Sequence, residues 1–510
     1  MFNSFAFSQS PSAKRISFSY SGTAIYFSIN NNIGATNRRI RTEMSPLGLS
    51  FAGTNINQAI PQGEYSAALI FDRDNMIQSI DWTVTGNTDG IVGHLDLSSQ
   101  NELRQNITIT GHDNLTGISF NPNINPLNRS NSALTLVRLF NNDLREVNLS
   151  GFKNIGQPGS SVALIQVFNN FNCTSISFPS SPYYVSVSMR NLGISSVNYN
   201  GLSALTSINV SPNSQLEEII FPSNLISAAT GTWDIQNTGV RNLDWSVMGS
   251  NWGGSVFLFS NPSLSAMTFP SCFNSVNSFF TRDSGMGILN LSPITGISGN
   301  ITIRNHNHTE VLFGPSSRPV NSILMRNGNQ LSDIDLSPLE DVRNSLSIFS
   351  HNSLTSITLG NWSNTIHTTA IYQNPLLQVV DLSSIQGLQG TVQLFQQPLL
   401  TSTIFPNVNN VFTNIVFQEN NVHGYLDLNP ISGGSSNNIT LNFNNNPSWN
   451  SAISNQMLYD LDMFGWTGGT LFMSGSTSGY DTTSGGFNGF LHYSNLISKG
   501  WDITMSGLTS

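Results

Sequence analysis

The chain has 510 residues, of which 38% are hydrophobic and only 9% charged, against roughly a quarter charged in an average soluble domain. Asn, Ser, Thr and Gly fill the difference, implying a surface that hydrogen-bonds rather than one that pairs ions. Net charge is −9 with 19 basic residues, which argues against a broad phosphate-binding face; the basic cluster "RRIRTE", Arg38 to Glu43, reads as a solvated loop.

The first residues, "MFNSFAFSQSPSAKR", lack a charged start followed by a continuous apolar run, so no secretory signal is expected. No stretch approaches the ~20 apolar residues of a membrane-crossing helix. Residues 1–75 carry no repeat and are expected to form a small β-rich docking module. Within them "RISFSYSGTAIYFSI" (15–29) and "EYSAALIF" (64–71) alternate as strands do. The intervening "NNIGATNRRIRTEMSPLGLSFAGTNINQAI" reads as a long loop that orders against a partner. "FDRDNM" (71–76) has half the acidic spacing of a calcium loop but neither its glycine nor its distal Glu.

Residues 76–447 repeat a Leu-x-x-Ile-x-Leu strand. Copies include "IQSIDW" (77–82), "LREVNL" (144–149), "CTSISF" (173–178), "LEEIIF" (216–221), "VRNLDW" (240–245), "LSDIDL" (331–336), "LTSITL" (354–359) and "LQVVDL" (377–382). From Val197 onward the central position advances by 22–24 residues per copy, the mark of a solenoid, and about 13–15 coils are expected. Earlier spacing is longer, 29 residues from Val147 to Ile176, which predicts protruding loops. A second strand-like element precedes many copies, as in "LVRLFNNDL" (136–144) and "LSIFSHNSL" (346–354). Three residues before the leading Leu runs a polar column: Asn141, Asn170, Asn191, Asn213, Asn237, Asn261, Asp283, Asn305, His351, Asn374 and Gln397, interrupted at Gly328. Stacked amides there are expected to satisfy turn backbones of neighbouring coils. Cys173 and Cys272 lie four coils apart, roughly 19 Å, too far to bridge, and read as core fillers.

Residues 448–510 change character into an α+β cap. "WNSAISNQMLYDLDMFGW" (449–466) has helical spacing, "GTLFMSGS" (469–476) reads as a strand, and "GFLHYSNLISKGWDITMSG" (489–507) as a helix running into a strand. A solenoid end exposes core and strand edge, and such a cap covers both.

"LTSITL" and "LTSINV" (205–210) resemble leucine-rich repeats of the BspA-like, Treponema-type class, and the resemblance spans roughly two-thirds of the chain. The closing "LISKGWDIT" (496–504) is similar to the end segment of leucine-rich-repeat proteins encoded by bacteriophages. Together these imply a mainly β solenoid: a leucine-rich-repeat array of short parallel strands between a small N-terminal β module and the α+β cap. They further imply a virion protein, tail- or fibre-associated and multimeric in its particle, made in the host cytoplasm. It would contact other virion proteins through its N-terminal module and a host-surface protein or glycan through its repeats, with no nucleic acid and no membrane insertion. A purely structural decoration protein and a bacterial surface adhesin are the alternatives.

No motif points to chemistry, and neither an enzyme, a cofactor nor a metal is expected. His306 and His308 in "RNHNHTE" face His351 two coils on, about 10 Å away, which is too far for shared ligation. Glu310 and Asp333 share a column on adjacent coils with Asp335 beside them, the spacing a glycosidase pair could use, but no aromatic platform accompanies them. The loops "SGGSSNN" (432–438) and "SGYDTTSGG" (478–486) lack the GK[ST] of a phosphate cradle. The residues flanking the central Ile point outward. They offer Glu146, Asn148, Glu218, Asp244, Glu310, Asp333, Asp335, Thr358 and Asp381 as a flat, mildly acidic strip roughly 65–70 Å long, suited to a protein partner.

Overall fold

The computed structural model describes residues 14–22, 25–30, 40–45, 49–53, 55–60, 63–71, 76–83, 91–98, 102–122, 134–152, 155–156, 162–181, 183–223, 231–246, 254–270, 276–434, 437–475 and 477–506. The chain divides into two compact units, residues 1–257 and 258–510. Together they hold about 13 turns of parallel β-solenoid and, among the described residues, two α-helices. Neither helix is long and apolar enough to cross a membrane.

In the first unit the N-terminal strands are antiparallel and hydrogen-bond onto the first coil. Strand Ile25–Asn30 pairs with Met76–Thr83, and Lys14–Gly22 pairs with Ile91–Leu97. The boundary expected near residue 75 is therefore bridged by backbone bonds on two strands. The stretch read as a long loop is not one: it contains strands Ile40–Ser45, Leu49–Gly53 and Asn55–Ile60. "RRIRTE" accordingly ends inside a strand, with Arg41 opposite Ala52 and Ile70. Pairing on both sides of Ile40–Ser45 supplies the hydrogen bonds that its Asn- and Gly-rich surroundings hid. "FDRDNM" and Cys272 fall largely or wholly outside the described residues.

From Met76 each coil contributes a long strand, then a turn, then a short strand. Long strands stack in parallel register, for example Glu102–Thr110, Leu134–Phe140, Ala163–Asn170 and Val185–Leu192 in the first unit. In the second, Asn300–His306, Val320–Gly328, Val342–His351 and Ile366–Tyr372 stack likewise. The short strands are the middle of Leu-x-x-Ile-x-Leu, as in Glu146–Asn148 and Asp333–Asp335. Their apolar positions fill the core: Leu144, Val147 and Leu149 are almost wholly buried, as are Leu331, Ile334 and Leu336. Cys173 and His308 take the leading Leu position of their coils and are equally buried.

The polar column is two columns. The inner one is buried: Asn142, Asn170 and Asn213 in the first unit, and Asn374, Gln397, Asn420 and Asn446 in the second. Each inner Asn reaches back one coil. Asn213 Oδ1 accepts from the Leu192 N–H at 2.8 Å while Nδ2 donates to Met189 O at 2.9 Å. Asn374 does the same with His351 N–H and Ile348 O, both at 3.1 Å. An amide carries a donor and an acceptor, so it replaces the two peptide partners that the chain loses as it leaves the strand.

The outer column holds the residue just before each inner one, in left-handed backbone: Asn141 (φ 52°), Asn191 (53°), Asn237 (51°), Asn305 (46°) and Asn327 (57°) among them. Short polar side chains tolerate this region best. Their amides also link coil to coil, as from Asn191 Nδ2 to Asn169 Oδ1 at 2.6 Å. A fixed offset of three from the leading Leu lands on the inner column at Asn170, Asn213, Asn261 and Asn374. It lands on the outer column at Asn141, Asn191, Asn237 and Asn305, because those turns are one residue shorter.

In the second unit the last coils replace the short strand by a helix. Strand Thr440–Asn442 is followed by α1 (Ser451–Phe464), strand Thr470–Met473, α2 (Gly489–Ser498) and strand Asp502–Met505, the three strands pairing in parallel. Asn450 and Asn488 cap the two helices through their side chains. Every residue of "LISKGW" with a distinct chemistry has a job. Leu496 is buried, and Lys499 Nζ meets the Asp462 carboxylate of α1 at 2.6 Å. Gly500 turns the chain at φ 84°, and Trp501 Nε1 donates to Trp466 O at 3.1 Å.

Candidate functional site

The short-strand face carries all the outward residues named from sequence, and each is exposed. Hydrogen bonds give four of these nine a local task. Asn148, Asp244, Asp335 and Asp381 each accept, through Oδ1, the backbone N–H two residues on, at 2.9–3.0 Å. These are Asx turns that end the strand. Asp335 also stands opposite Thr358 in register. Glu310 lies on a strand paired with Ile288–Leu291, whereas Asp333 pairs toward Ser356. Asp333 accepts hydroxyl hydrogen bonds from Ser332 and Ser356, which hold its carboxyl below the usual carboxylate range. That is an anion-keeping environment, the reverse of what a general acid needs.

In the first unit Glu146 and Asn148 border a groove of about 360 Å3 that His94, Thr116, Ser119 and Arg145 also line. His94 Nε2 bonds Ser119 Oγ at 2.7 Å. Gly117 gives the ring its place, since a Cβ there would lie 2.6 Å from His94 Nδ1. Ile118, Phe120 and Pro122 line it as well, so its surface mixes polar and apolar groups.

The histidines of the second unit depart from expectation. His306 and His351 sit two coils apart, yet their Nε2 atoms meet at 3.3 Å, one ring donating and the other accepting. They meet through the gap at Gly328, the rung between them. His308 stacks on His306 with ring centroids 4.8 Å apart and bonds Met286 O through Nδ1 at 2.7 Å. Two coils separate the strands by ~10 Å, but the empty rung at Gly328 lets the two side chains reach across it. Among the described residues no group of three or more His, Cys, Asp or Glu is placed to hold a metal ion.

Burial pushes these imidazoles down: His351 to about 4, and His306 to about 2 with the neighbouring His308 and His351 adding to it. In the first unit burial likewise pushes His112 to about 4. A histidine whose folded pKa lies below its unfolded value takes up its proton by unfolding. Its stability contribution is thus whole above about pH 6.5 and drains as pH falls toward 4. At ~1.36 kcal/mol per pH unit, His112 and His351 each withdraw on the order of 3 kcal/mol over that interval. Urea midpoints measured from pH 7 to 4 are expected to fall steeply below pH 6. Replacing His351 by Asn should flatten the slope; a slope unchanged by that substitution would show that the ring does not titrate as described.

One row of the second unit went unread in the sequence. On the outward side of the long strands, register places Arg282, Arg304, Arg326 and Phe349 on consecutive strands. The Arg282 guanidinium lies 5.2 Å from the Phe259 ring centre and that of Arg326 lies 5.8 Å from Phe349. Beyond Phe349 the row continues as a ring stack, Phe349–Tyr372 at 4.5 Å and Tyr372–Phe395 at 4.3 Å. The signal was available: Arg stands directly before the left-handed residue in "TRDS", "IRNH" and "MRNG", at steps of 22. Burial, and then the charges of Arg326 and Arg282, lower the Arg304 guanidinium below its ordinary value.

Fold and faces together define a parallel β-solenoid repeat protein with amide-laddered turns. No family model matches the chain, and neither a curated protein nor a solved structure matches it.

Proposed function

We propose that the chain is a bacteriophage virion protein, tail- or fibre-associated, whose leucine-rich-repeat coils form a surface for host or protein recognition. The observation that carries this reading is a division of labour within each coil. The central positions of the short strands stay apolar, while the first outward position changes from coil to coil, as at Glu146, Ser196 and Glu218. Outward positions free of the core can vary from coil to coil and so be shaped to a partner. The resemblance of "LISKGWDIT" to phage repeat proteins and the charge-poor surface point to a particle rather than a cell.

Mass spectrometry of purified particles is expected to find the chain, and added soluble protein to slow adsorption of those particles to host cells. Presence in particles without competition would leave the second reading, a structural decoration. That one is favoured by Ile288 and Leu312, exposed at 53% and 37% on neighbouring short strands, where a packed subunit would cover them. Absence from particles and presence in uninfected cells would overturn both.

A further inference from the structure

We propose that Arg282, Arg304 and Arg326 form a binding row for a carboxylate-bearing polysaccharide. This does not depend on the particle reading. Three guanidiniums on consecutive parallel strands stand ~4.8 Å apart, in a chain with only 19 basic residues. Among the described residues one carboxylate pairs with the row: Asp283, 3.1 Å from Arg282. Arg304 and Arg326 have no ion pair among the described residues. Like charges in register oppose folding, so the row has a cost that the fold does not require. An anion would offset it, because a guanidinium offers planar paired donors to a carboxylate.

The geometry selects among polyanions. The row crosses consecutive parallel strands, so a ligand that meets all three guanidiniums is extended. It is periodic at about the length of one sugar unit. Same-face side chains of an extended acidic peptide recur at ~6.6 Å and fall out of step with it. Single-stranded nucleic acid needs free aromatic faces for its bases. Here both faces of Phe349 and Tyr372 are taken up, by Arg326 and by the rings of the stack.

The test is titration of the full chain with polygalacturonate, neutral dextran, poly-glutamate and oligo-dT across a salt series. Binding of polygalacturonate is expected, with a log–log salt slope near −2 from three contacts and no binding of dextran. Arg304→Gln is expected to weaken it ~tenfold or more, while Arg343→Gln, on a neighbouring strand outside the row, leaves it unchanged. Arg304→Gln should also raise the melting temperature, since it removes repulsion; a residue kept for folding would lower it. The proposal is overturned if polygalacturonate does not bind, if both arginine variants bind alike, or if poly-glutamate or oligo-dT binds more tightly.

Discussion

Replacing Gly328 by alanine is expected to destabilise the second unit by about 3 kcal/mol or more, far beyond an ordinary glycine-to-alanine change. A Cβ at this position would lie 2.5 Å from His306 Cε1 and 2.6 Å from both His306 Nε2 and His351 Cδ2. Both rings are essentially without solvent exposure, so neither can swing away. Forcing them apart costs ~1–3 kcal/mol in overpacking, and separating two buried nitrogens from each other costs a further ~1–3 kcal/mol. Urea unfolding measures the sum. A second change, His351→Asn, removes one ring and should recover most of the loss, a coupling that independent sites would not show. If Gly328→Ala unfolds within ~0.5 kcal/mol of the parent, the rings are not locked through that gap.

Asn374→Leu is expected to cost about 4 kcal/mol although it preserves size and adds apolar surface. It strips the His351 N–H of its acceptor and the Ile348 carbonyl of its donor, and both lie where water does not reach. Each orphaned group costs ~1–3 kcal/mol. The outer column supplies the control. Asn327 is exposed, and Asn327→Ala loses little beyond the left-handed preference of its backbone, about 1 kcal/mol. Equal losses at the two positions would mean that the inner amides are not what joins one coil to the next.

How far the sequence could be read follows from how each feature is encoded. Short strands and their cores were legible because Leu331, Ile334 and Leu336 recur at a fixed step and face one way. The helical coils were legible because Ile453, Met457, Leu461 and Phe464 keep a helical period. The amide column was legible as a column but not as two, since a turn shorter by one residue moves Asn191 out of the rung that Asn213 fills. Strands at Ile40–Ser45, Leu49–Gly53 and Asn55–Ile60 escaped because pairing decides them, Ile40–Ser45 between Leu49–Gly53 and Gly63–Phe71 and Asn55–Ile60 against Ile25–Asn30, while local composition there favours loops. The histidine contact escaped because it depends on what is missing at Gly328. The arginine row escaped because alignment on Leu-x-x-Ile-x-Leu follows the other side of each coil.

The inner amides bond the coil just before them, and Asn170, Asn213 and Asn446 add a carbonyl of their own coil. Gln397 receives Asn420 Oδ1 on its N–H at 3.1 Å, and Asn420 sits 23 residues later, the same step that separates Asn374 from Gln397. Removal of residues 375–397 would therefore bring Asn420 onto Asn374 with the same bond still to be made. The second unit can change length in whole coils, as a zip fastener loses a tooth and still closes. Gains and losses of single repeats are thus an accessible way for such a chain to alter its reach without redesigning its interior.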